Sequence, residues 1–251
     1  MTKIAIVTGA SRGLGRNTAL SIARHGGDVI LTYQSREEDA QAVVAEITAM
    51  GRAAIAFQLD TGNVASFAPF ADRLRTALHE TWQRETFDHL VNNAGHGSYA
   101  TIDQTTEAQF DDLVNVHFKG VYFLTQTLLP LIADGGRIVN LSSGLTRTSF
   151  PGYAVYAAVK GAVEVLTHYM AKELGGRGIA VNTVAPGAIE TDFGGGAVRD
   201  NPDLNKLFAE MTALGRAGLP DDIGPMIASL LSEDNRWVNA QRIEVSGGQG
   251  I

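Results

Sequence analysis

Short apolar runs alternate with longer stretches of helical spacing along most of the chain. Lys3 to Thr8, Asp28 to Tyr33, Ala53 to Leu59, Phe87 to Val91, Arg137 to Leu141, Ile179 to Val184 and Gln241 to Val245 read as strands. Between them, helical spacing covers Leu14 to His25, stopped at Gly26-Gly27, and Glu37 to Met50, stopped by Gly51. Further helices are predicted from Val64 to about Arg84, over roughly Thr105 to Ala133, and from Val155 to Leu174. Such alternation argues for a parallel sheet covered by helices on both faces, and one domain over 1–251 suffices. The pattern breaks at Pro186. An irregular excursion over 188–218, with Gly194-Gly195-Gly196 and Asn201-Pro202, precedes the last helix and strand. Long glycine-rich excursions in compact domains serve as lids, and Phe193, Leu204, Leu207, Phe208 and Met211 give this one an apolar side.

Charge narrows the function. A formal net charge of -7 disfavours nucleic acid and anionic membranes, which need clustered basic surface, so a small molecule is the expected partner. The chain has no cysteine, hence no disulfide and no thiolate metal site, and no metal is expected. Ile4 to Val7 is far too short for a signal-peptide core, and no later run is long enough to span a bilayer. A cytoplasmic, soluble protein is the expectation.

Two stretches carry chemistry. Thr8-Gly9-Ala10-Ser11-Arg12-Gly13-Leu14-Gly15 joins the first strand to the first helix. Missing side chains at Gly9, Gly13 and Gly15 let backbone approach a pyrophosphate, and the helix N-terminus offers free N–H groups and a favourable dipole. The same residues match a G-x-S-x-G nucleophile elbow at Ser11. A hydrolase would then need a histidine at a strand end, where His96 and His117 are the weak candidates. The second stretch runs from Ser143 to Lys160. Tyr156 and Lys160 lie four apart on one helical face, with Cβ atoms about 5–6 Å apart. Free tyrosine has a pKa of about 10, and a neighbouring ammonium would favour the phenolate. Such a tyrosine exchanges protons with a carbonyl or alcohol oxygen, which Ser143, delivered from the preceding strand, would also contact.

Thr8 to Gly15, Asn92-Asn93-Ala94-Gly95, Ser143, and Tyr156 to Lys160, in that order, resemble the short-chain dehydrogenase/reductase family of single-domain type. Pro186-Gly187 with Thr191 and the closing Ile243 to Gly248 fit it too. The resemblance implies an α/β fold: a Rossmann-like, doubly wound, mostly or wholly parallel seven-stranded sheet with helices on both faces. It makes Tyr156 the acid/base, Ser143 the group that polarises the substrate oxygen, and Lys160 the residue that holds the nicotinamide ribose and lowers the tyrosine pKa. Asn115 would complete a water-linked proton relay. Gly9, Ser11, Arg12, Gly13, Leu14 and Gly15 would hold the pyrophosphate side. Asp60, Asn93, Ala94 and Gly95 would line the adenosine side; Pro186, Gly187, Ile189 and Thr191 would serve the nicotinamide, with Thr191 on its carboxamide. Two departures stand out: Thr61-Gly62-Asn63 after Asp60, and the polar His96-Gly97-Ser98-Tyr99 after Gly95. A homodimer or homotetramer is implied, in keeping with helices that are apolar on more than one face over Val116 to Leu131 and Val155 to Leu174.

Charge also selects the cofactor. NAD binders place an acid near the end of the second strand, whereas NADP binders supply a cation for the 2′-phosphate. Here Tyr33-Gln34-Ser35-Arg36 contains no acid until Glu37, expected on the helix and facing water. Arg12 and Arg36 offer guanidinium forks and Ser35 a hydroxyl, so NADP(H) is the expected cofactor. The expected activity is interconversion of a small-molecule carbonyl and its alcohol. The rival from another class is a noncatalytic dinucleotide sensor, which would not need Ser143, Tyr156 and Lys160 together.

Overall fold

The computed structural model describes residues 2–251. Its centre is a seven-stranded sheet built from β1 (Ile4–Val7), β2 (Asp28–Tyr33), β3 (Ala54–Gln58), β4 (Phe87–Asn92), β5 (Ile132–Leu141), β6 (Ala180–Pro186) and β7 (Arg242–Val245). All neighbours are parallel, in the order β3-β2-β1-β4-β5-β6-β7. Strand side chains alternate between two cores, as period-two geometry requires. Ala5, Val7, Val29 and Leu31 face α1 (Gly13–Arg24), α2 (Glu37–Ala49) and α9 (Pro220–Leu230). Ile4, Ile6, Ile30 and Leu90 face α3 (Phe67–Trp82), α5 (Gly120–Leu128) and α6 (Ala154–Leu174). The fold is therefore the expected doubly wound, Rossmann-like architecture, and the strand order reverses between β1 and β4. In such sheets the crevice beyond the carboxyl ends at the reversal is where ligands bind.

Three expectations need correction. The helical region after residue 105 is not continuous: α4 (Glu107–Val114) begins at a Thr106–Gln109 capping box and passes into a π-helical turn, Asn115–Lys119, before α5. The fifth strand begins at Ile132 rather than Arg137. Gly135, at φ 75°, sits within the strand where the register with β4 shifts between Phe87 and His89. The excursion at 188–218 is not wholly irregular, since it holds α7 (Ala197–Asp200) and α8 (Pro202–Glu210), the latter capped by the Asn201 side chain. Glu37 is on the helix and exposed as expected, yet its carboxylate reaches the Tyr33 phenol, whose pKa burial and Glu37 together raise. Among the described residues no helix is long and apolar enough to cross a membrane.

Candidate active site

A crevice of about 1210 Å³ opens where the carboxyl ends of β1, β4, β5 and β6 meet, and every candidate catalytic and cofactor-binding residue lines it. At its floor lies the glycine loop. Gly9 adopts φ 64°, and a Cβ there would stand 2.8 Å from the Ala94 Cα, so loop and β4 end are pressed together. Hydrogen bonds lock that contact: Asn93 and Ala94 N–H groups each donate to the Thr8 hydroxyl at 2.9 Å, and the Asn93 amide donates to the carbonyls of Thr8 (2.8 Å) and Gly9 (3.2 Å). Asn93 thus fixes the loop's shape with the amide that the resemblance assigned to adenosine. Asp60 likewise accepts from the Gly62 N–H at 2.9 Å while facing the crevice, so its local turn accounts for one carboxylate oxygen.

At the 2′-phosphate end, Ser35 and Arg36 are exposed on the crevice wall, with Arg36 Nη1 3.2 Å from Asp39. Arg12 pairs at 3.2 Å with Asp192 of the excursion, which also binds Arg199 at 2.5 Å. The two guanidiniums, Arg199 first, hold the Asp192 carboxyl below the usual carboxylate range.

On the opposite wall α6 presents Tyr156 and Lys160, only 6% and 4% exposed, to the crevice. A buried chain of amides and hydroxyls sets the helix on the sheet: Asn92 donates to Asn140 (2.8 Å), Asn140 to Thr167 (2.9 Å), and Thr183 to Thr167 (2.8 Å). This network, which no sequence motif announced, spans β4, β5, β6 and α6. Lys160 Nζ lies 5.7 Å from the Tyr156 ring centroid and donates to the Leu141 carbonyl at 2.7 Å. Ser143, extended at the end of β5, is within hydrogen-bonding reach of the phenol and accepts from the Leu145 N–H at 3.2 Å.

Electrostatics here corrects the expectation of a depressed tyrosine. Burial raises the Tyr156 pKa above its ordinary value, and the Ser143 hydrogen bond only partly offsets that; burial also lowers Lys160 to about 7. The phenol is protonated at neutral pH, and the amine is poised to exchange a proton there.

His117 has only a weak claim from sequence, yet it is 1% exposed and meets Tyr156 edge-on, ring centroids 5.2 Å apart. Asn115 lines the crevice at the start of the same π turn, and its amide makes no side-chain hydrogen bond among the described residues. His96 Nε2 contacts Asp112 of α4 at 3.0 Å. No histidine among the described residues bonds Ser11, whose hydroxyl therefore lacks a general base. The remaining wall is aromatic: Phe193 packs on Tyr156 at 5.6 Å, Tyr99 on Tyr153 at 5.7 Å and Phe150 on Phe208 at 5.7 Å. Of the predicted lid residues, Phe193, Leu204, Leu207 and Phe208 reach the crevice. Met211 does not, and its carbonyl instead accepts from the Gly250 N–H.

Comparison with known proteins places this geometry. A family model described as Enoyl-(Acyl carrier protein) reductase matches residues 9–249. The chain is 39% identical to the 3-oxoacyl-(acyl-carrier-protein) reductase FabG of Staphylococcus aureus, covering 99% of this chain and 98% of that protein. It is 35% identical to the hydroxynaphthalene reductase-like protein Arp2 of Metarhizium brunneum, covering 98% of this chain and 94% of that one. Among solved structures, the angucycline C-6 ketoreductase LanV with bound NADP superposes with a TM-score of 0.93 at 34% identity, covering 98% and 95% of the two chains. With the glycine loop, strand-end serine and Tyr156–Lys160 pair gathered on one crevice, the chain belongs to the short-chain dehydrogenase/reductase family of oxidoreductases.

Proposed function

We propose that the chain is an NADP(H)-dependent reductase of ketones, with the reverse alcohol oxidation open to it. The observation that carries this is the buried Tyr156–Lys160 pair facing a crevice floored by a glycine loop. Gly9 to Gly15 would hold the pyrophosphate, Arg12, Ser35 and Arg36 the 2′-phosphate, Asp60 and Asn93 to Gly95 the adenosine, and Lys160 the ribose. Pro186, Gly187, Ile189 and Thr191 would line the nicotinamide side. When bound, the cofactor would supply the hydride. Ser143 donates a hydrogen bond to the substrate oxygen, and Tyr156 gives that oxygen its proton as charge develops there. A tyrosine kept protonated by burial suits the reductive direction at neutral pH. Oxidation needs the tyrosinate, so it should accelerate as pH rises.

The aromatic wall of Tyr99, Phe150, Tyr153, Phe193 and Phe208 supports a flat, ring-containing ketone over a small aliphatic one. The hydroxynaphthalene and angucycline associations of two relatives agree with that preference. Val165 and Tyr169, 57% and 65% exposed on α6, support self-association. NADPH consumption followed by absorbance on a panel of polycyclic and aliphatic ketones is the test. Tyr156→Phe should lower kcat by about 100-fold or more, with the NADPH dissociation constant little changed. NADPH binding without turnover anywhere on the panel would favour a sensor instead.

A further inference from the structure

The segment after β7 brings an amide to the crevice wall. Gln249 is 7% exposed and lines the crevice, although no sequence motif marks it. Its side-chain oxygen accepts from the N–H of Ala188, the first residue of the excursion, at 2.7 Å. A backbone N–H can bond only to the oxygen of an amide, so this contact settles which end is which. The Nε2 end carries two donors, and no acceptor takes them among the described residues. Unlike the unpaired ring nitrogens of His89 and His117, Nε2 is not sealed off, and its remaining surface opens to the crevice.

The side chain is held in place before any ligand arrives. Around it the Ala213 and Leu214 N–H groups donate to the Gly248 and Gly247 carbonyls at 3.3 and 3.1 Å, and the Gly250 N–H donates to the Met211 carbonyl at 2.8 Å. Arg147, paired with Glu244, donates to the Gln249 and Gly250 carbonyls. A donor ordered in this way loses little further freedom when it binds. Gly187 makes room for it, since a Cβ there would stand 2.6 Å from the Gln249 oxygen. Gly187 in turn lies against Gly144, whose own Cβ would stand 3.7 Å from the Gly187 Cα, and Gly144 is the residue after Ser143. The amide therefore sits on the Ser143 side of the crevice.

We propose that Gln249 is a specificity-determining residue whose Nε2 donates to a second carbonyl oxygen of the substrate. The preferred ligand is then a ring with two carbonyls, one set against Ser143 and Tyr156 for reduction and the other against Gln249. This rests on the reading of Tyr156 as the proton donor and adds what else the ketone carries. A neutral N–H2 group complements a neutral acceptor oxygen, and the cations on the crevice wall, Arg12, Arg36 and Lys160, are all taken up by their cofactor roles. Thr212, bridged to Gln249, follows Phe208 by one turn and donates to its carbonyl at 2.7 Å, which continues the apolar wall of Phe150 and Phe208 up to the amide. A site built to bond an oxygen rejects a ligand that lacks it, because the donor is then left unpaired.

Two variants and a matched set of ketones decide it. Gln249→Glu keeps an oxygen for the Ala188 N–H and removes the donors, whereas Gln249→Met removes both ends. The gem-dimethyl form of 1-tetralone is compared with the gem-dimethyl tetralin-1,3-dione and tetralin-1,4-dione, which differ from it by one carbonyl. With NADPH as reductant, each dione-to-monoketone ratio of kcat/KM, taken relative to the wild type, cancels the intrinsic reactivity of the compounds. For at least one dione that ratio should fall by about 10-fold or more in Gln249→Glu, while fluorescence titration gives an unchanged NADPH dissociation constant. A wild-type ratio in Gln249→Glu, with losses confined to Gln249→Met and tracking a lower Tm, would reduce Gln249 to a clip on the excursion. An equal loss on monoketone and diones together with weaker NADPH binding would assign the amide to the nicotinamide and also overturn the proposal. Absence of turnover in the wild type would sink the functional reading instead. Calorimetry of the same ketones on the NADP+-loaded protein, wild type against Gln249→Glu, would still decide the role of Gln249.

Discussion

Tyr156 and Lys160 are four apart on a helix, and that spacing was enough to place both on one wall of the crevice. It was not enough to set their charges. Proximity alone predicts a phenol acidified by an ammonium, but at 6% and 4% exposure the loss of hydration dominates both groups, and the tyrosine goes up while the lysine falls to about 7. Burial depth is a tertiary quantity that an i, i+4 spacing does not encode. Ser143 was legible because it ends an apolar strand. His117 was not, because a single histidine in an apolar helical stretch looks like core, and its signal lies 22 positions away in the missing side chain of Gly95. That pairing makes a sharp prediction. Gly95→Ala would drive a methyl group into the His117 ring, and overpacking of this kind costs about 1–3 kcal/mol. The expected result is a lower Tm together with a kcat deficit, because the displaced ring leans on Tyr156. In a His117→Ala background, which vacates the clash, adding Gly95→Ala should lower the Tm no further; a further fall would show that the methyl clashes elsewhere.

Strand and helix existence followed from periodicity, and the misreadings fall where one element passes into another. The α4–α5 boundary keeps its apolar spacing through the π turn, so no break shows. The start of β5 hides behind Asp134-Gly135-Gly136, because a bulge uses the same residues as a turn. Glycines at 194–196 suggested irregularity over the whole excursion, whereas Asn201 and Pro202 start a regular helix soon after them. One element-scale contact follows from no pattern at all. Arg12 in the glycine loop is held by Asp192, which Arg199 of α7 also binds, so the loop intended for phosphate is clasped to the excursion by a carboxylate. These side chains are roughly two-fifths exposed, and the pairs contribute little to stability. Their effect belongs in binding, because a 2′-phosphate competes with Asp192 for Arg12 and is repelled by it. Asp192→Asn should therefore tighten NADPH several-fold more than NADH, with the difference shrinking as salt is raised. Identical shifts for the two cofactors would mean that Arg12 does not meet the 2′-phosphate.

The molecule as a whole is two apolar layers on one parallel sheet, and this was the most legible level, since strand-helix alternation leaves few topologies that bury both faces. Parallel strands buried on both sides also carry polar residues inward, and their titration governs how the fold responds to acid. His89 sits on β4 at 5% exposure with Nδ1 unpartnered, and burial first, then the charges of Arg137 and Lys3 against that of Asp88, lowers its pKa to about 4. Because the unfolded histidine titrates near 6.5, the unfolded chain binds more protons than the fold between pH 6.5 and 4. Its contribution is fully present above 6.5 and is lost as pH falls through 4, a difference of about 3 kcal/mol if the whole shift is expressed. Glu244 acts in a lower window. Its carboxylate pKa is lowered to about 2, chiefly by Arg147 and with Arg242 adding to it, so that stability is present above 4.5 and disappears as pH falls through 2. Urea unfolding measured from about pH 7.5 down to about pH 2 separates the two. His89→Leu should flatten the decline between 6.5 and 4, whereas Glu244→Gln should leave that slope intact and flatten the one below it. If His89→Leu declines as steeply as the wild type over that upper window, the imidazole is reached by water in the folded state, and the acid response belongs to the surface carboxylates.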